Sequence, residues 1–163
     1  MNRKLAGLAS ISALFAALCP LHSNAGDPAQ APGAPQGDGT ISITASESLV
    51  WQDYPGLPGV KFAVMAGNPK EAGFYTIRAK FAPGTMSRPH SHPEARYVTV
   101  LKGTWWAGTG AKFDPNATVP VPAGGFAVHT PGKVHFDGAK DEEVIVQISG
   151  IGPSGTIVAE EGK

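Results

Sequence analysis

From Thr40 onward the chain is written in short runs of alternating apolar and polar residues. In residues 74–81, Phe74, Thr76, Arg78 and Lys80 fall on one face and Tyr75, Ile77, Ala79 and Phe81 on the other. A period of two predicts a strand, and the second face is the one expected to point inward. Residues 143–150 alternate in the same way, with Val144, Val146 and Ile148 opposing Ile145, Gln147 and Ser149. Further β-type runs are predicted at 40–45, 49–52, 60–66, 73–81, 96–101, 104–110, 125–130 and 134–138. Most are bounded by Gly, Pro, Asn or Asp, the residues that make turns. No stretch after residue 40 keeps a helical period, and 68–73 reads as a hairpin loop rather than one helical turn. Closely spaced strands with turn signals between them predict an all-β fold, a single antiparallel sandwich or barrel.

The first 39 residues have a different texture. Asn2, Arg3 and Lys4 form a short basic region, and 5–18 is apolar and rich in Ala and Leu. Ser23, Asn24 and Ala25 are the small residues a signal peptidase accepts, so residues 1–25 read as a signal peptide cleaved before Gly26. The apolar run is too short for a permanent membrane span. Leu18 and Pro20 flank Cys19 where a lipid-modified cysteine needs small neighbours, which argues against lipidation. Residues 26–39 lack apolar periodicity and are rich in Pro, Gly and Ala, as in a disordered tether. The expected domain is therefore 40–163, and the expected location is the periplasm or the exterior.

Composition adds boundaries to this picture. Cleavage removes the only cysteine, so the exported chain has no disulfide and depends on its packed core. Cleavage also removes Arg3 and Lys4, leaving 11 basic residues against 13 acidic. No basic block marks a nucleic-acid or anionic-membrane surface, so neither is expected as a partner.

The candidate chemistry lies in four histidines of the exported chain: His90, His92, His129 and His135. Neutral imidazole is the commonest side-chain ligand for zinc, copper, iron and nickel. His90 and His92 are two apart, so an extended chain puts them on one face, where they can converge on one ion. By itself such a pair is weak, since two surface histidines on a loop have the same spacing.

Gly84, five residues, His90-Ser91-His92, three residues, position 96, six residues and Gly103 together resemble the first motif of the cupin superfamily. Gly124, five residues, Thr130-Pro131-Gly132, two residues and His135 resemble the second. The order and spacing, within an all-β pattern over roughly 40–158, resemble a small single-domain bacterial cupin. The resemblance implies a jelly-roll barrel whose metal ligands are His90, His92 and His135. It implies a divalent ion (Fe, Zn, Cu, Mn or Ni), a small-molecule ligand, and pairing of two copies through sheet faces as a homodimer.

The chain departs from the pattern at position 96, where the family places a glutamate. Arg96 cannot coordinate: its guanidinium stays protonated and offers no lone pair. Three readings follow. Three histidines hold the ion and Arg96, in a catalytic role, orients an anion; or Arg96 turns away and Glu94 supplies the oxygen; or the histidines are only polar lining. Thr130 and Ala139 are milder departures, replacing the usual proline and asparagine. His129 reads as a partly buried, hydrogen-bonded side chain or as an outer partner of the ligands. Of Trp105 and Trp106, adjacent on a strand, one is expected inside and one outside. Phe62, Met65, Tyr75, Ile77 and Val100 are expected to wall the pocket. The resemblance and the open three-histidine site imply a metal-dependent enzyme, a non-haem-iron dioxygenase first, acting on a small anionic molecule. The competing classes are a metal- or ligand-binding sensor without turnover, and an isomerase or lyase.

Overall fold

The computed structural model describes residues 39–159. The expected signal peptide, Cys19 and all but the last residue of the expected tether lie outside the described residues. The alternating runs become strands: β1 (Gln52–Asp53), β2 (Val60–Ala66), β3 (Gly73–Phe81), β4 (His90–Ser91), β5 (Arg96–Lys102), β6 (Thr104–Thr109), β7 (Val119–Pro122), β8 (Phe126–His129), β9 (His135–Gly138), β10 (Val144–Gly152) and β11 (Ile157–Val158). The one helical piece among the described residues is a 3-10 turn, Ser46–Ser48. None of them forms a helix long and apolar enough to cross a membrane.

The strands make a six-stranded sheet in the order β1-β2-β3-β10-β5-β8 and a five-stranded sheet in the order β11-β4-β9-β6-β7. The ladders are antiparallel, and the fold is the all-β antiparallel jelly-roll barrel. The inward face of β3 is the predicted one: Tyr75, Ile77, Ala79 and Phe81 are buried. They meet Val98 and Val100 of β5, Trp105 of β6, and Val144 and Val146 of β10 in a core built of β-branched and aromatic side chains. On β5 the same parity that buries Val98 and Val100 also buries Arg96, at the end of the strand.

The two tryptophans divide as expected. Trp105 is buried, and Trp106 faces outward, its ring covered by the Lys140 ammonium at 3.7 Å. Gly138 marks a place where only glycine fits. It bridges Met86, and a Cβ there would collide with the Thr85 carbonyl and the Met86 backbone.

Several sequence expectations are corrected. Residues 40–45 form no strand: Ile41 and Ile43 alternate correctly but stand 64% and 56% exposed, and only an isolated bridge involves Ile43. Alternation makes a strand only where a neighbour supplies the ladder hydrogen bonds. The 49–52 run contributes only Gln52, to the two-residue β1. Residues 68–73 form the loop between β2 and β3, as read.

Candidate metal centre

The two sheets bring the histidines together. On the five-stranded sheet, β4 and β9 pair with His90 opposite His135. His92 follows β4 directly. On the six-stranded sheet, β5 and β8 pair with Arg96 opposite His129. The imidazole centroids are 4.8 Å apart for His90–His92, 4.5 Å for His90–His135 and 5.1 Å for His92–His135. One nitrogen from each of these three rings lies within 4.8 Å of the others.

The backbone sets which nitrogen that is. Nδ1 of His90 faces the Arg88 carbonyl at 2.7 Å, Nδ1 of His92 faces the Gly155 carbonyl at 2.8 Å, and Nδ1 of His135 faces the Lys133 carbonyl at 3.0 Å. A carbonyl oxygen only accepts, so each Nδ1 must carry the proton and each Nε2 the lone pair. His135 Nε2 is buried and has no hydrogen-bond partner. Three lone pairs oriented by the main chain are what a divalent ion requires, so the residues fit a metal.

Burial keeps His92, His129 and His135 neutral. It draws the pKa of His92 down to about 3, helped by the Arg96 charge, and that of His129 down to about 2, helped by the other imidazoles. His135 is lowered as well, by burial first. This has a consequence for the protein stripped of metal by chelation. Unfolded histidines take up protons near 6.5, whereas the folded rings resist until far lower pH. Stability is thus full above about pH 6.5 and falls as pH drops toward 3, because only the unfolded chain gains protons in that window. Thermal midpoints measured from pH 7.5 to 4 should fall steadily, and His129→Gln should flatten the slope. A flat wild-type profile would contradict this.

Arg96 neither coordinates nor turns to solvent. It is 6% exposed and lines the cavity, and its Nε and Nη2 donors are committed. Nε donates to Glu94 Oε1 at 2.9 Å; Nη2 donates to Ser154 Oγ at 2.6 Å and to the Gly155 carbonyl at 3.1 Å. The Gly155 oxygen therefore receives both His92 and Arg96. Glu94 is not in either cluster of metal-ligating groups found among the described residues. Its Oε1 also accepts from the buried Tyr75 hydroxyl at 3.1 Å. Burial alone would raise the Glu94 pKa, but the Ser154 hydroxyl, the Arg96 hydrogen bond and the Arg96 charge together outweigh it and bring it to about 2.

His129 departs from the expected hydrogen-bonded state: its Nδ1 is buried with no partner. Its ring stacks on that of His92 at 5.5 Å and sits tilted against that of His135, with centroids 3.8 Å apart. Asp137 was missed by the sequence reading. It is 5% exposed and shares the face of β9 with His135. Its Oδ1 accepts from Trp105 Nε1 at 3.3 Å, and its Oδ2 lies 3.7 Å from His135 Nε2. Burial pushes its pKa up, while the His90 and His135 rings pull the other way. The signal was present in the sequence: a carboxylate two residues after a ligand on a strand must share its face.

The His90, His92 and His129 rings line a cavity of about 450 Å³. Its wall is mostly apolar, with Leu57, Ile77, Phe81, Trp105, Val146 and Ile148 prominent. Of the five wall residues predicted, only Ile77 lines it. Tyr75 and Val100 are buried in the packing behind, and Phe62 and Met65 are partly buried on β2, away from the lining.

A jelly-roll barrel with imidazoles from both motifs gathered at an apolar cavity defines a cupin. More narrowly, the chain belongs to the ChrR cupin-like domain family, whose signature matches residues 41–153. No curated protein matches it. Among solved structures it is similar to the polyketide cyclase RemF from Streptomyces resistomycificus, with a TM-score of 0.62, 13% identity, and coverage of 76% of this chain and 88% of that one. It is also similar to an uncharacterised conserved protein with a double-stranded β-helix domain from Klebsiella pneumoniae (TM-score 0.55, 22% identity, 72% and 96% covered). An RmlC-like cupin from Shewanella frigidimarina aligns with a TM-score of 0.54 at 16% identity, covering 67% and 88%. At such identities these likenesses speak for the fold.

Proposed function

We propose that this protein is an exported, metal-dependent cupin enzyme in which His90, His92 and His135 hold one divalent ion against a small anionic organic molecule. The observation that carries the reading is the set of three Nδ1–H bonds to main-chain carbonyls, which leaves three Nε2 lone pairs facing one another. Bound there, a divalent ion supplies Lewis acidity and, as Fe(II), oxygenase chemistry. The chain's own part is to bind and to exclude water. Leu57, Phe81, Trp105 and Ile148 receive the apolar body of the ligand and keep the wall dry. Arg96 places a fixed positive charge in that wall and favours a carboxylate or enolate over a neutral group. Its pairing with Glu94 limits that pull, so the ion provides the larger share.

One observation favours binding without turnover as the second reading: Glu94, the carboxylate within the first motif, is tied up by Arg96 and Tyr75. The test is to purify the exported protein from cells supplied with iron, zinc, manganese, copper and nickel, weigh the bound metal, and follow oxygen uptake with small carboxylates. One ion per chain with uptake supports the enzyme, and one ion without any turnover supports the binding module. A folded protein that takes no ion refutes both.

A further inference from the structure

The histidine cluster beside the cavity holds more ligand atoms than one ion can use. With Asp137 ionised, His135 Nε2 and Asp137 Oδ2 are both acceptors, since His135 Nδ1 carries the proton toward Lys133 and Asp137 gives its other oxygen to Trp105. They face each other at 3.7 Å, and both side chains are buried. Two lone pairs so placed repel unless a proton, which the burial of Asp137 favours, or a metal cation stands between them. Bonds of about 2.1 Å to each would meet at an angle of about 120°, well within what divalent ions accept. His129 completes the set. Its ring lies tilted against that of His135 with centroids 3.8 Å apart, its Nδ1 is buried and unpartnered, and its ligand atom lies within 4.8 Å of those of His135 and Asp137.

We propose that His129, His135 and Asp137 form a second divalent-cation position, an alternative to the one held by His90, His92 and His135. The inference rests on the metal reading above, because both positions use His135. An imidazole with Nδ1 committed to a carbonyl has one lone pair left, so it serves one ion at a time. The two positions are therefore mutually exclusive, and the chain binds one ion, not two. They also differ in character. The first offers three neutral nitrogens, which suit zinc, copper, nickel and iron alike. The second offers two nitrogens and a carboxylate, the donor set that suits iron(II) and manganese(II). The carboxylate that position 96 lacks is thus supplied from β9, in a different place. Which ion is bound then decides which wall of the cavity carries it.

The experiment uses the full exported chain, stripped by chelation and titrated separately with Mn²⁺, followed by electron paramagnetic resonance, and with Zn²⁺, followed by calorimetry. Asp137→Asn keeps an acceptor for Trp105, and His129→Gln tests the same position without touching Asp137. Each is expected to weaken Mn²⁺ about tenfold or more and to change Zn²⁺ far less. His92→Ala is expected to do the reverse. Zn²⁺ added to the Mn²⁺-loaded protein should release Mn²⁺ one for one. If Asp137→Asn and His129→Gln bind Mn²⁺ as the wild type does, the second position is refuted and the three-histidine site stands. If all three variants lose both metals equally, a single shared centre replaces the two positions. If the folded wild type binds neither ion, both readings fall. Circular dichroism and the melting point of each stripped variant separate loss of fold from loss of a ligand.

Discussion

Replacing His135 by alanine is expected to abolish binding of every divalent ion, where any other single histidine change spares some. The reason is its place in the topology. His135 opens β9, stands opposite His90 across the β4–β9 ladder and has its Nε2 in both ligand clusters. Its Nδ1 is anchored to Lys133, so no alternative nitrogen can take over. Losing an outer hydrogen-bond partner of a metal ligand costs about 10–100-fold in affinity, and losing a ligand that both positions share must exceed that. Calorimetric titration with Zn²⁺ and Mn²⁺ reads the effect. His135→Ala binding either metal within about tenfold of wild type would show that this ring is not a ligand.

The second large effect concerns stability. Arg96→Met is expected to destabilise the fold by about 3–5 kcal/mol, as for a buried ion pair from which one partner is removed. For a domain of this size that lowers the melting temperature by about 10–20 °C. Glu94, only 11% exposed in the wild type, would be left with one oxygen without a donor and the other held by neutral hydroxyls alone, those of Tyr75 and Ser154. Adding Glu94→Gln to Arg96→Met removes the stranded charge and is expected to recover more than half of the loss. If the double variant is no more stable than the single, the penalty does not come from the isolated carboxylate. Metal affinity should fall in Arg96→Met as well, because the Gly155 carbonyl that orients His92 loses its second anchor.

The sequence revealed most where one strand's own alternation decides the outcome. Tyr75, Ile77, Ala79 and Phe81 face inward because burial selects one parity, and the three motif histidines converge because their strands are neighbours in a jelly roll. What it hid depends on partners far along the chain. The 40–45 run alternates but finds no ladder. The β7 segment, with prolines at 120 and 122, reads against a strand and yet pairs with β6, as an edge strand can. The two-residue β4 and β11 are too short to leave a pattern, though β4 carries His90. The posture of Arg96 is set by Ser154 and Gly155, 58 and 59 residues away, which no local pattern encodes. Asp137 differs from these, since its shared face with His135 follows from a period of two alone.

The bond from His92 Nδ1 to the Gly155 carbonyl spans 63 residues. The tautomer of His92 is therefore set from the far end of the domain: a change in residues 153–156 that moves this carbonyl would free the ring to present either nitrogen while leaving both histidine motifs untouched.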